Sequence, residues 1–61
     1  MQYLVRIYHP QRDKQNVIRN TLQEALKLLG KTEEDIDLRI KGRTGDDIFF
    51  KDTRDYIREI K

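Results

Sequence analysis

The widest apolar face in the chain is predicted between Asp13 and Gly30. Ile18, Leu22, Ala25, Leu26 and Leu29 recur at steps of three and four, which places them on one side of a helix. Asp13 has the side chain of an N-cap, and Gly30 can close a helix in the left-handed conformation. Lys14, Arg19, Gln23 and Lys27 fall mostly off the stripe and would face water. Ahead of this helix, Gln2 to His9 alternates and is rich in β-branched and aromatic residues, the pattern of a strand. Tyr3, Val5 and Ile7 would share one face of it, and Gln2, Leu4, Arg6 and Tyr8 the other. Pro10 ends the strand because it cannot donate to a ladder.

Beyond Gly30 the pattern shortens. Thr32 followed by Asp35 has the form of a capping box, so a single helical turn is expected there. Ile36 to Lys41 alternates strictly, which puts Ile36, Leu38 and Ile40 inward and Asp37, Arg39 and Lys41 outward. The run GRTGDD is a turn, with Gly42 and Gly45 able to take positive φ. Ile48 to Lys51 reads as a short strand, Ile48 and Phe50 inward, Phe49 and Lys51 outward. Asp52 or Thr53 would cap a last short helix whose apolar stripe is Tyr56, Ile57 and Ile60. The rival is one continuous helix over residues 46–61, since no breaker lies inside that run; two adjacent phenylalanines after a glycine turn favour the strand. The expected fold is therefore α+β in the order β-α-β-β-α. It has a small three-stranded sheet, one long helix on one face and a short C-terminal helix, all in one domain spanning residues 1–61.

Composition changes this picture in two ways. The chain has 61 residues and is 39% charged against 36% hydrophobic, so the core is thin and a partner or self-association is expected to supplement it. It has no cysteine, which removes disulfides and thiolate metal sites and fits a reducing cytoplasm. The start of the chain lacks a signal-peptide pattern. No stretch approaches the ~20 apolar residues that span a bilayer, so no membrane partner is expected.

Charge is unevenly spread. Residues 1–20 carry Arg6, Arg12, Lys14 and Arg19 against Asp13. Residues 31–37 carry Lys31 against Glu33, Glu34, Asp35 and Asp37. Residues 38–61 carry seven bases and five acids, within a net charge of +2 for the whole chain. Basic ends around an acidic turn permit a polyanion as partner without requiring one.

The sheet face away from the helix would present Arg6, Tyr8, Arg39, Lys41, Phe49 and Lys51, with Leu4 and Asp37. Cations interleaved with rings suit single-stranded nucleic acid, because rings stack on bases and cations hold phosphates. The same face is open to two other readings. It could be covered by a protein partner or a second copy through Leu4, Tyr8 and Phe49, or it could simply be a solvated sheet surface with cross-strand ion pairs.

The run Ile40-Lys41-Gly42-Arg43-Thr44-Gly45-Asp46-Asp47-Ile48 resembles the GxxG loop of KH domains, with an isoleucine on each side. That resemblance implies a loop clamping a nucleic-acid backbone, with Arg43 and Thr44 beside phosphate. In the family the loop joins two helices, whereas a strand-like segment precedes it here and Asp46 and Asp47 follow it. A plain glycine-rich hairpin turn explains the same residues. The order of a strand, an arginine at position 12, a long helix and a strand carrying Arg39 is similar to the small tautomerases of the 4-oxalocrotonate type. Their base is an N-terminal proline; Gln2 follows Met1 here, so the likeness implies the scaffold and not the activity.

Enzyme chemistry finds little footing. His9 is the only histidine, and the chain has neither serine nor cysteine, so no Ser–His or Cys–His arrangement and no histidine-based metal cluster can be built. Asp46, Asp47 and Asp52 lack the spacing of a calcium loop. The expectation is a non-enzymatic binding module with no cofactor, metal or small-molecule substrate. It would bind single-stranded RNA or DNA through Arg6, Tyr8, Arg39, Lys41, Arg43, Phe49 and Lys51. The alternative is a protein-binding regulator or inhibitor, dimeric through the same face or an edge strand.

Overall fold

A computed structural model describes residues 1–61 and shows a sheet of five antiparallel strands with one helix on one face. The strands are β1 (Gln2–His9), β2 (Arg12–Arg19), β3 (Ile36–Ile40), β4 (Asp47–Phe50) and β5 (Tyr56–Ile60), and the helix α1 is Leu22–Leu29. Across the sheet the order is β2-β1-β5-β4-β3, with every neighbouring pair antiparallel. The expected three-stranded sheet with a long helix and a C-terminal helix is thus replaced by a mostly strand architecture. The first and last strands pair at its centre.

Two segments account for the difference. Residues 12–19 are a strand and not the first half of a helix. His9 pairs with Arg12 across a tight turn at Pro10 and Gln11, and Val5 with Val17. Pro10 thus closes a hairpin. Ile18 matches the helical spacing of Leu22 and Leu26, yet it lies on the opposite side of the sheet from them, across from Leu4. β2 is an edge strand whose residues are almost all exposed, so burial imposes no alternation on its sequence.

The second segment is residues 56–60, which form a strand between β1 and β4. Ile57 and Glu59 point toward α1 and are buried, while Tyr56, Arg58 and Ile60 point away. A carboxylate on the inner face hides the two-residue period.

The shorter α1 is well bounded. Thr21 is its N-cap and accepts from the Glu24 backbone N–H at 3.1 Å. Gly30 closes it at φ 68°, with the Gly30 N–H donating to Lys27 and the Lys31 N–H to Leu26, the bonding of a Schellman motif. Glu33–Asp35 is the single turn of 3-10 helix expected after Thr32, with the Thr32–Asp35 capping box in place. No helix is long and apolar enough to cross a membrane.

The core lies between α1 and one face of the sheet. Strand pairing sets Val17, Val5, Ile57, Ile48 and Arg39 in one row across that face. Val5, Ile48 and Ile57 are fully buried, and Ala25, Leu26 and Phe50 complete the buried cluster.

Arg39 ends this row because of a bulge. Ile36 pairs with Phe50 but Leu38 with Phe49, so β3 carries one extra residue at Asp37 and its side chains exchange faces beyond it. Ile36 stays inward as expected. Leu38 and Ile40, expected inward, face away from α1 and are about half exposed, at 52% and 50%. Arg39, expected outward, turns to the helix side. There its Nε bonds Asp46 at 2.8 Å and its Nη2 lies 3.6 Å from Glu59. Tyr3 donates its hydroxyl to the same Glu59 oxygen at 3.4 Å. This ionic group takes the place of apolar packing at one corner of the core.

Burial, followed by the negative charge of Glu59, raises the Tyr3 phenol above its ordinary pKa. A raised phenol favours the folded state fully below the unfolded value of about 10 and loses that contribution as pH climbs through the folded value. Unfolding free energy should therefore fall above about pH 10, and less steeply in Tyr3→Phe. The tyrosinate absorbance assigned to Tyr3, taken as wild type minus Tyr3→Phe, should rise at lower pH in Glu59→Gln. An unshifted curve would contradict the Glu59 contribution.

Candidate nucleic-acid interface

The face away from α1 has no second layer. Strand pairing arranges it in two rows. One runs Asn16, Arg6, Tyr56, Phe49, Leu38; the other runs Ile18, Leu4, Arg58, Asp47, Ile40. The rows are apolar at their outer ends except at Asn16, and aromatic or charged at the centre.

At that centre the Phe49 and Tyr56 rings lie 5.5 Å apart with their planes tilted by 37°. The guanidinium of Arg6 sits 5.7 Å from the Tyr56 ring centre and that of Arg58 5.9 Å, both within cation–π range. Neighbours orient both arginines. Arg6 Nε donates to Asn16 Oδ1 at 2.9 Å. Arg58 Nε donates to Asp47 Oδ1 at 2.8 Å, and that carboxylate raises the Arg58 pKa further. One N–H edge of each guanidinium is thus committed, and the remaining donors can reach a ligand lying on the rings.

Of the residues singled out in the sequence, Arg6, Tyr8 and Phe49 lie on the open face. Tyr8 follows Arg6 along the same side of β1, and the Arg54 guanidinium stacks over it at 4.7 Å. Arg39 lies on the other side of the sheet. Lys41 and Arg43 belong to the loop between β3 and β4, at the end of the sheet away from Pro10. That loop joins two strands, unlike the helix-to-helix connection of KH domains. Its backbone is clamped to β5, where the Glu59 N–H donates to Asp46 at 2.7 Å and the Lys61 N–H to Thr44 at 3.0 Å. Lys51 lies just beyond β4, at the Pro10 end. Tyr56 and Arg58 were absent from the sequence-derived set because residues 56–60 read as a helix. The alternation of Tyr56, Arg58 and Ile60 against Ile57 was the available signal.

The acidic residues weighed for metal binding are each matched to a cation. Asp46 bonds Arg39, Asp47 bonds Arg58, and Asp52 takes Lys31 at 2.7 Å. No group of three or more His, Cys, Asp or Glu side chains is placed to hold a metal ion. A polar hollow of about 590 Å³ lies at the Pro10 end, between the β1–β2 turn and the β4–β5 connection.

By geometry this is a small antiparallel sheet module with one uncovered face carrying an aromatic and arginine centre. No family model, curated protein or solved structure matches the chain.

Proposed function

We propose that this protein is a non-enzymatic module that binds single-stranded nucleic acid on the open face of its sheet. The observation that carries this reading is the adjacent Phe49 and Tyr56 pair with Arg6 and Arg58 held beside it. Half-buried rings side by side on the neighbouring strands β4 and β5 offer stacking surfaces for consecutive bases, and flanking guanidinium groups supply charge for the phosphates between them. Arg39 leaves the earlier residue set because it lies on the helix side of the sheet, opposite Ile48. Tyr56 and Arg58 enter it. A cytoplasmic setting, where single-stranded RNA is plentiful, accords with this function.

The test is a titration with a labelled single-stranded oligonucleotide at two salt concentrations. Affinity should fall as salt rises, because phosphate contacts release counterions. Tyr56→Ala and Phe49→Ala should each weaken binding about 5- to 150-fold, the range for losing one base stack, with the thermal transition retained. Wild-type protein that does not bind at low salt would refute the proposal.

A second reading rests on the aliphatic ends of the rows, where Ile18, Leu38 and Ile40 are exposed. Such residues suit a protein surface, including a second copy of this chain. Under that reading, sedimentation equilibrium shows a mass above one chain that Leu38→Lys reduces, and the oligonucleotide has no effect.

A further inference from the structure

We infer that the hollow at the Pro10 end of the sheet receives the terminal phosphate of the bound single strand. This rests on the nucleic-acid reading above and extends it beyond the platform. Tyr8 lies one step past Arg6 along β1, so a ligand leaving the Tyr56 ring in that direction reaches the edge of the sheet. The hollow opens there, with Pro10 on one side and residues 51–55 on the other. It is an open hollow of about 590 Å³, wide enough to admit a phosphate group.

The charges around it are arranged for an anion. Asp52 is taken by Lys31, whose Nζ lies 2.8 and 2.7 Å from its two oxygens. Asp55 uses Oδ1 to accept the Tyr8 backbone N–H at 2.8 Å. The lining holds two cations and two carboxylates, but Asp52 is neutralised by Lys31 from outside it, while Lys51 and Arg54 form no ion pair, which leaves an excess of one positive charge. The Arg54 guanidinium lies over the Tyr8 ring at 4.7 Å. This cation–π contact keeps the guanidinium over the ring, and its N–H groups, which donate to no protein acceptor, can meet two phosphate oxygens. A terminal phosphate carries more charge than an internal diester and adds three acceptor oxygens to a terminal hydroxyl, so the site distinguishes strand ends.

The experiment compares one short oligonucleotide in three forms, ending in hydroxyls, in a 5′ phosphate or in a 3′ phosphate. Binding is followed by anisotropy with wild type and with Arg54→Gln. One phosphorylated form should bind about tenfold more tightly than the hydroxyl form, the scale of a charge-assisted pair. Arg54→Gln should erase that gain, so that the phosphorylated and hydroxyl forms bind the variant with equal affinity. The form that gains tells which strand end enters the hollow. Equal affinity for all three forms, or a gain that survives Arg54→Gln, overturns the inference and leaves the platform reading intact. No binding of any form overturns both.

Discussion

Gly45→Ala should abolish folding or lower the unfolding free energy by about 3 kcal/mol or more. Gly45 has φ 141°, a backbone region that side-chain-bearing residues rarely enter. A Cβ there would overlap the carbonyl oxygen and carbon of Glu59, which belong to the strand at the centre of the sheet. The loop has no room to retreat. Thr44 on one side accepts the Lys61 N–H and Asp46 on the other accepts the Glu59 N–H. Moving away breaks both bonds and pulls Asp46 off Arg39.

Gly30 provides the internal control. It also has positive φ, at 68°, but an added Cβ meets nothing within 4 Å. Gly30→Ala should therefore cost only the left-handed penalty of about 1 kcal/mol. A domain this small has a few kcal/mol of stability in total, so the first change should be ruinous and the second tolerated. Urea unfolding of both variants measures this. Near-wild-type stability of Gly45→Ala would mean that the loop does not lie against β5 as described.

Arg39→Met should be the next most damaging change, at about 2 kcal/mol. It keeps most of the aliphatic volume and removes the charge. Asp46 and Glu59, whose side chains are only 12% and 7% exposed, would then share a corner without a cation. Removing one partner of a fully buried pair costs about 3–5 kcal/mol; the Arg39 side chain is 40% exposed, so water softens the loss. Glu59→Gln added to Arg39→Met should recover part of it, because the remaining amide needs no counter-ion. If the double variant is no more stable than the single, the Arg39 contribution is packing and not charge. Neither variant touches Tyr56, Phe49 or Arg6, so oligonucleotide binding should persist in whatever fraction remains folded.

The contrast between these two residues and the sequence is instructive. Gly45 was legible as a turn glycine, but nothing in GRTGDD says that the turn is pressed against the last strand. Arg39 sits in IDLRIK, whose strict alternation assigns it to solvent. The bulge at Asp37 reverses that assignment, and the alternation of β3 gives no sign of it. Of the interface, Arg6, Tyr8 and Phe49 were legible because β1 and β4 follow ordinary alternation. Tyr56 and Arg58 were hidden by Glu59, whose inward position makes sense only beside Arg39.

The sequence by itself determined the local elements with strong short-range signals. These are β1 from its alternation, the Gly30 stop of α1, the Thr32–Asp35 turn and the short strands read at residues 36–41 and 48–51, which the structure has at Ile36–Ile40 and Asp47–Phe50. Each is set by side-chain chemistry within a few residues. Tertiary structure alone decided that residues 12–19 and 56–60 are strands, that β1 and β5 meet at the centre, and which face each arginine occupies. Those outcomes depend on backbone hydrogen bonds between segments far apart in the chain. Such bonds are available to any residue but proline, and so leave little mark on the residues that form them.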